Sequence, residues 1–206
     1  MGWLDWLSAE PTNIETLPDA IWLNSAAKYA GIAASVSSIC QISPPPPSLA
    51  LIAYFPETLH ALRRIAADHA APFPIDVRLA KGLSERDFTL AVCVNQRPIE
   101  VIVAERHPHE REDSAIGAAL KRTPYQYRVA HHHSFDDALF QLGGWSERAR
   151  KTMELLGMSE DEPIHSKVVV RKLRRLQRKV AQQARGSLPA NSSGDWMRLN
   201  MPQTWG

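Results

Sequence analysis

A parallel β-sheet covered by helices, followed by a long basic helix, is the architecture this sequence predicts. Three observations carry that expectation. "LALIAYF" and "IEVIVA" are apolar runs without polar alternation, as in strands buried on both faces. An amphipathic stretch lies between such runs, which gives the strand–helix–strand order of parallel sheets. Residues 167–185 hold eight Lys/Arg and no acid around a narrow apolar seam.

Along the chain, Trp3, Leu4, Trp6 and Leu7 form an apolar stripe at helical spacing, and residues 1–18 are expected to be a docking segment. An α/β domain is expected over 19–142. "LPDAIWLNSAAKYAGIAASVSSI" reads as an extended entry and then a helix, with Asn24 or Ser25 as cap and Ala27, Ala30, Ile32 and Val36 inward. "SPPPPS" ends it. "LALIAYF" is the next strand, and Pro56 opens the helix "ETLHALRRIAADHA", with Leu59, Leu62 and Ile65 or Ala66 facing the core. "IDVRLA", "TLAVCV", "IEVIVA" and "YRVAHHH" are further strands. A helical extension is expected over 143–186, where Val169, Leu173, Leu176 and Val180 line one side of the last helix. Residues 187–206 read as a loose tail carrying Trp196 and Trp205.

With 206 residues, 44% of them apolar and 22% charged, the chain has the composition of an ordinary globular domain plus an appendage. Cys40 and Cys93 lack any CxxC spacing, so a reducing compartment is expected, and the start, with Asp5 and no basic region, does not read as a secretion signal. The location implied is cytoplasmic, with peripheral membrane contact left open. Net charge is +2, but setting aside the eight basic residues of 167–185 leaves 16 of 24 against 22 acids. One basic helix on an acidic body implies an anionic partner or an acidic docking surface.

No GxxxxGK[ST], GxSxG or HExxH occurs. His131 and His133 would share one side of a strand, with His132 on the other, and are candidate metal ligands if His107 or His109 approaches. Their alternative role is that of hydrogen-bonded core histidines. No cofactor is expected.

"AERH" with Asp113, "HHHSFDDAL" and "LGMSEDEPIHSKVVVRKLRRLQRKV" together resemble the SecA family of bacterial protein-export motors. The similarity covers roughly residues 100–182: the end of the family's second RecA-like domain and the start of its scaffold helix. It implies a three-layer RecA-like sheet with helices on both faces. Where the family has the phosphate-contacting arginines of "QLRGRSGRQGD", this chain reads "AIGAALKRTPY". Gly117 and Ala119 replace the first two arginines, and Arg122 keeps the third. Loss of a transition-state arginine costs about 10³-fold or more in phosphoryl transfer, so with no P-loop the resemblance implies a pseudo-ATPase. Glu105, Arg106, His107 and Asp113 are then expected to tie the strand end to the following helix through ion pairs. The function implied is that of a catalytically silent accessory or regulator of protein export. It would bind an export motor, a translocon or an exported substrate through Trp3, Trp6, Arg171, Lys172, Arg174, Arg175, Arg178, Lys179, Trp196 and Trp205. Two alternatives stand beside it: a half-site lending Arg122 in trans to a partner ATPase, and RNA binding by 167–185.

Overall fold

A computed structural model of the chain describes residues 13–81, 83, 97–145, 147, 151–152, 159 and 161–202. Trp3, Trp6, Trp205, the "TLAVCV" strand and most of "SERARKTMELLGM" lie outside the described residues.

The described elements are β1 (Ile14–Thr16), β2 (Ala20–Trp22), α1 (Ser25–Cys40), β3 (Leu49–Ala53), α2 (Pro56–Ala67), β4 (Ile75–Leu79), β5 (Ile99–Val103), α3 (Glu110–Lys121), β6 (Tyr127–Ser134), α4 (Ala138–Leu142), α5 (Lys167–Gln183) and α6 (Ser193–Asn200). The fold is α/β, with a six-stranded sheet ordered β1-β6-β5-β3-β4 and β2 also on β6. Every strand pairing in it is parallel. β1 pairs with the first half of β6 (Ile14 opposite Tyr127) and β2 with the second half (Ala20 opposite His132). Pro18 lies between them and has no N–H for the ladder, so pairing lapses there and Asp19 is free to turn inward.

The apolar runs become β3 and β5, buried along their whole lengths. On one face Ile32 and Val36 of α1 and Leu59 and Leu62 of α2 pack on Leu49, Leu51 and Ile102. On the other, Ile116 and Leu120 of α3 pack on Ala50, Ile52, Val101 and Val129. Burying each such side chain stabilises the fold by about 1.5–3 kcal/mol. Local signals set the helix starts. The Asn24 side chain accepts from the Ala27 amide at 2.8 Å, Pro56 stands in the first turn of α2, and Ser166 and Ser192 cap α5 and α6. Gly31 is required where it stands, because a Cβ there would overlap the Trp22 ring lying across α1.

Several expectations are corrected. Residues 14–16 belong to the sheet, so the domain begins before 19. In α1 the buried residues are Lys28, Gly31, Ile32 and Val36, whereas Ala30 is exposed; a paired lysine takes an inward position that alanines were expected to fill. The third apolar cluster joins Leu173 and Val180 of α5, Trp196 of α6 and Met201 to Ile21, Phe55, Phe135 and Phe140. The segment beyond 143 is therefore packed on the body. Residues 187–202 do not form a loose tail: Asn200 accepts from the Leu188 amide at 2.6 Å and donates to the Leu188 carbonyl at 3.1 Å. Trp196 is 2% exposed, so it is a core residue and presents no surface to a partner.

Candidate functional site

Ligands of open parallel sheets bind beyond the carboxyl ends of the strands. Here β5 runs out into Ala104, Glu105, Arg106 and His107, all buried. Arg106 is the centre of a buried ion-pair cluster. Its Nη1 donates to Asp113 of α3 at 2.8 Å and its Nη2 to Asp19 at 3.0 Å. Asp113 also accepts from the His107 amide at 3.0 Å. Arg106 and Asp113 thus join the end of β5 to α3 through an ion pair, and His107 adds only its backbone amide. Asp19 was missed by sequence reasoning, and its signal was the proline before it.

Asp19 also receives Nε2 of His133 at 2.8 Å. Burial opposes its charge, but His133 and Arg106 outweigh that and hold its carboxyl well below the usual range. An ionised carboxylate only accepts, so Nε2 of His133 carries the proton. His131 stacks on His133 with ring centroids 6.1 Å apart, while His132 points to the other face and takes a hydrogen bond from Trp22 Nε1 at 3.2 Å. The expected alternation holds. Among the described residues, no group of three His, Cys, Asp or Glu side chains stands where it could hold a metal ion. His107 is enclosed instead by Phe55 and Trp196, at 5.2 and 5.0 Å between ring centroids.

Glu105 belongs to a separate network on the α1–α2 face. Its carboxylate accepts from Thr58 Oγ1 at 2.5 Å, and the Lys28 ammonium nearby donates to Asp137 at 2.7 Å. Burial raises Glu105 to about 7, against the pull of Lys28. Burial works against the Lys28 charge, but Asp137 and Glu105 prevail and hold its pKa above the usual lysine range. So Glu105 does not bond to α3, as had been expected; it faces α2. Lys28 and Asp137 were not singled out from the sequence. A lysine between small apolar residues and the doubled acid of "SFDD" were the available signals.

Over this edge lies the chain's own C-terminal segment. Gln177 of α5 donates to the His107 carbonyl at 2.8 Å, and Leu173 and Val180 pack beside it. Trp196 covers the His107 ring. The edge that serves ligands in open sheets is covered by α5 and α6.

The outer side of α5 is different in character. Arg171, Lys172, Arg174, Arg175, Arg178 and Lys179 are all exposed. At about 100° per residue they fall within roughly 90° of the direction opposite the buried Leu173–Gln177–Val180 stripe, with Arg174 at its flank beside the α3 cavity. Among the described residues no carboxylate forms an ion pair with any of the six. Among the described residues, then, this basic face is not folded down onto carboxylates of the body. Arg122 caps the far end of α3 and is exposed, nine residues and about 14 Å along the helix from Asp113. It shares no site with Arg106.

Between α3, α5 and the β1–β6 edge lies a cavity of about 610 Å³, with Arg106, Gly117, His131 and Arg174 in its walls. Two buried atoms there, Arg106 Nε and His131 Nδ1, have no hydrogen-bond partner. Compared with known proteins, the chain matches no family model and no curated protein.

Proposed function

We propose that this chain is a non-catalytic protein of RecA-like fold, of SecA-like descent, that acts by binding an acidic protein partner through the outer face of α5. The observation that carries the proposal is the continuous face of six exposed cations opposite a buried stripe, on a helix without a single acid. A surface helix with its apolar side already satisfied gains nothing more from its own body, and its charge, unpaired among the described residues, raises the encounter rate with an anionic surface. Coverage of the sheet's ligand edge by α5 and α6 supports a role without chemistry. So does the pattern of the sequence, which lacks a P-loop and has Gly117 and Ala119 where phosphate-contacting arginines stand in SecA-like proteins. The same resemblance supports protein export as the process served, in the cytoplasm or at the inner membrane surface. No helix among the described residues is long and apolar enough to cross a membrane.

The test is capture of partners from nuclease-treated native lysate by the tagged chain and by Arg171→Glu/Arg175→Glu/Arg178→Glu. The expected result is a defined, acidic protein recovered by the parent chain and lost by the variant, with the variant's thermal unfolding unchanged. Recovery that disappears on nuclease treatment would overturn the proposal in favour of RNA binding. If Arg122→Ala, rather than the α5 variant, abolished stimulation of a partner's ATP hydrolysis, the half-site reading would replace it.

A further inference from the structure

On the α1 face of the sheet, away from α5, a second cavity lies between α1, the β1–β2 connection and β6. Its volume, about 670 Å³, falls in the range of small-molecule sites, about 300–1,000 Å³. Its body is apolar, with Leu17, Ile39, Ile42, Ile102 and Ala130. The α1 serines that border it are spent on their own helix: Ser35 Oγ donates to the Gly31 carbonyl at 2.8 Å and Ser38 Oγ to the Ala34 carbonyl at 2.9 Å. His132 is different. It lines the cavity and is 4% exposed, and its Nδ1 accepts from Trp22 Nε1 at 3.2 Å. An indole N–H only donates, so Nδ1 is bare and the proton of the ring sits on Nε2. That N–H has no acceptor among the described residues, and it is not sealed off from the cavity. A donor nine-tenths buried and open to an apolar space calls for one acceptor.

Charge selects a neutral molecule. Glu100 and Arg128 in the lining pair with each other at 2.6 Å. Glu15, opposite Arg128 on β1, adds a negative charge at that end. Lys28, the fixed cation that acts on His132, is held by Asp137 at 2.7 Å. His165, at the exposed rim, donates its Nδ1–H to the Asp19 carbonyl at 3.0 Å. No fixed cation is left over to hold an anion, and the Nε2–H of His132 turns away a cationic head.

We infer that this cavity binds a small neutral molecule with an apolar body and one acceptor oxygen, the oxygen on His132 Nε2 and the body along Ile39, Ile102 and Ala130. A ligand of about nine heavy atoms then binds with a Kd on the order of 1 mM.

The experiment is a nitrogen-15 NMR titration of the full chain with acetophenone, ethylbenzene and benzoate, which share a ring and differ in the acceptor and its charge. Acetophenone is expected to shift the amides of Ser35, Ile102, Ala130 and His132 and the ring Nε2 of His132. Ethylbenzene, which lacks the oxygen, and benzoate, which is charged, are expected to bind about tenfold more weakly. Ala130→Leu, which stands a larger side chain on the cavity floor, is expected to abolish the acetophenone shifts while leaving the rest of the spectrum in place. His132→Phe is expected to bind acetophenone no better than ethylbenzene. The proposal is overturned if acetophenone at about 10 mM leaves these signals of the parent chain unmoved. It is equally overturned if ethylbenzene or benzoate matches acetophenone on the parent chain, a comparison that holds whether or not the variants fold.

Discussion

Replacing Arg106 by methionine would leave Asp19 and Asp113 in place without their cation. Both side chains are about nine-tenths buried or more, and Arg106 reaches them at 3.0 and 2.8 Å. Methionine fills most of the space but carries no charge, so two carboxylates are left in a medium that solvates them poorly. Removing one partner of a buried ion pair costs about 3–5 kcal/mol. For a chain of this length each kcal/mol lowers the melting temperature by about 2–4 °C, which gives a fall of roughly 6–20 °C. Asp19 retains its bond to His133, which keeps the loss from the top of that range. The cost must also shrink at low pH, because a stranded carboxylate escapes its penalty by taking up a proton. Urea unfolding at pH 7.5 and at pH 5, followed by far-UV circular dichroism, measures both effects. Arg106→Lys, which keeps the charge and loses the two-armed contact, is expected to fall between parent and methionine variant. A loss below about 1 kcal/mol at pH 7.5, where surface pairs lie, would refute the reading of Arg106 as the tie between β2, β5 and α3.

Gly117→Ala is expected to stabilise the chain by up to about 1 kcal/mol, because the position is inside α3 and a Cβ meets nothing there; destabilisation in urea melts would contradict it. Trp196→Ala should cost about 3–5 kcal/mol and speed proteolysis after Arg185, since that ring, 2% exposed, holds α6 on the body; unchanged cleavage would argue against it. His107 and His132 are lowered to about 4 by burial, so the unfolded chain takes up their protons first, and stability is lost as pH falls from about 6.5 through 4. Glu105, raised to about 7, acts in the opposite sense: the folded chain holds its proton more tightly, and stability is lost as pH rises from about 4.5 through 7. Glu105→Gln removes that second effect, so its stability relative to the parent should rise between pH 5 and pH 8, and a constant difference in urea midpoints would count against it.

The parts of the fold set by local or periodic signals were legible. β3 and β5 follow from apolar runs, α2 from Pro56 and its inward leucines, and α1 from Asn24. The seam of α5 was legible too, although Gln177 joins Leu173 and Val180 in the buried stripe because it has a carbonyl to bind. What escaped depends on long-range pairing. β1 is three residues long and exists because β6 offers it an edge. Lys28 is buried because Asp137, more than a hundred residues away, meets it. Trp196 looks like a surface anchor in a polar segment, and the His107 and His109 rings and the apolar cluster around Phe55 give it a place inside. Of the candidate site, the Arg106–Asp113 tie could be anticipated from the motif, whereas Asp19 and the unpartnered nitrogens beside Gly117 arise from three elements meeting.

The claim on which the account rests is that α5 is seated on the sheet's ligand edge with its basic face outward. Native-state amide hydrogen exchange on the full chain tests it most directly. The account predicts that the amides of residues 173–180 exchange as slowly as those of β3 and β5. Exchange of these amides at the rate of an isolated helix, with β3 and β5 still protected, would contradict it and leave the edge open.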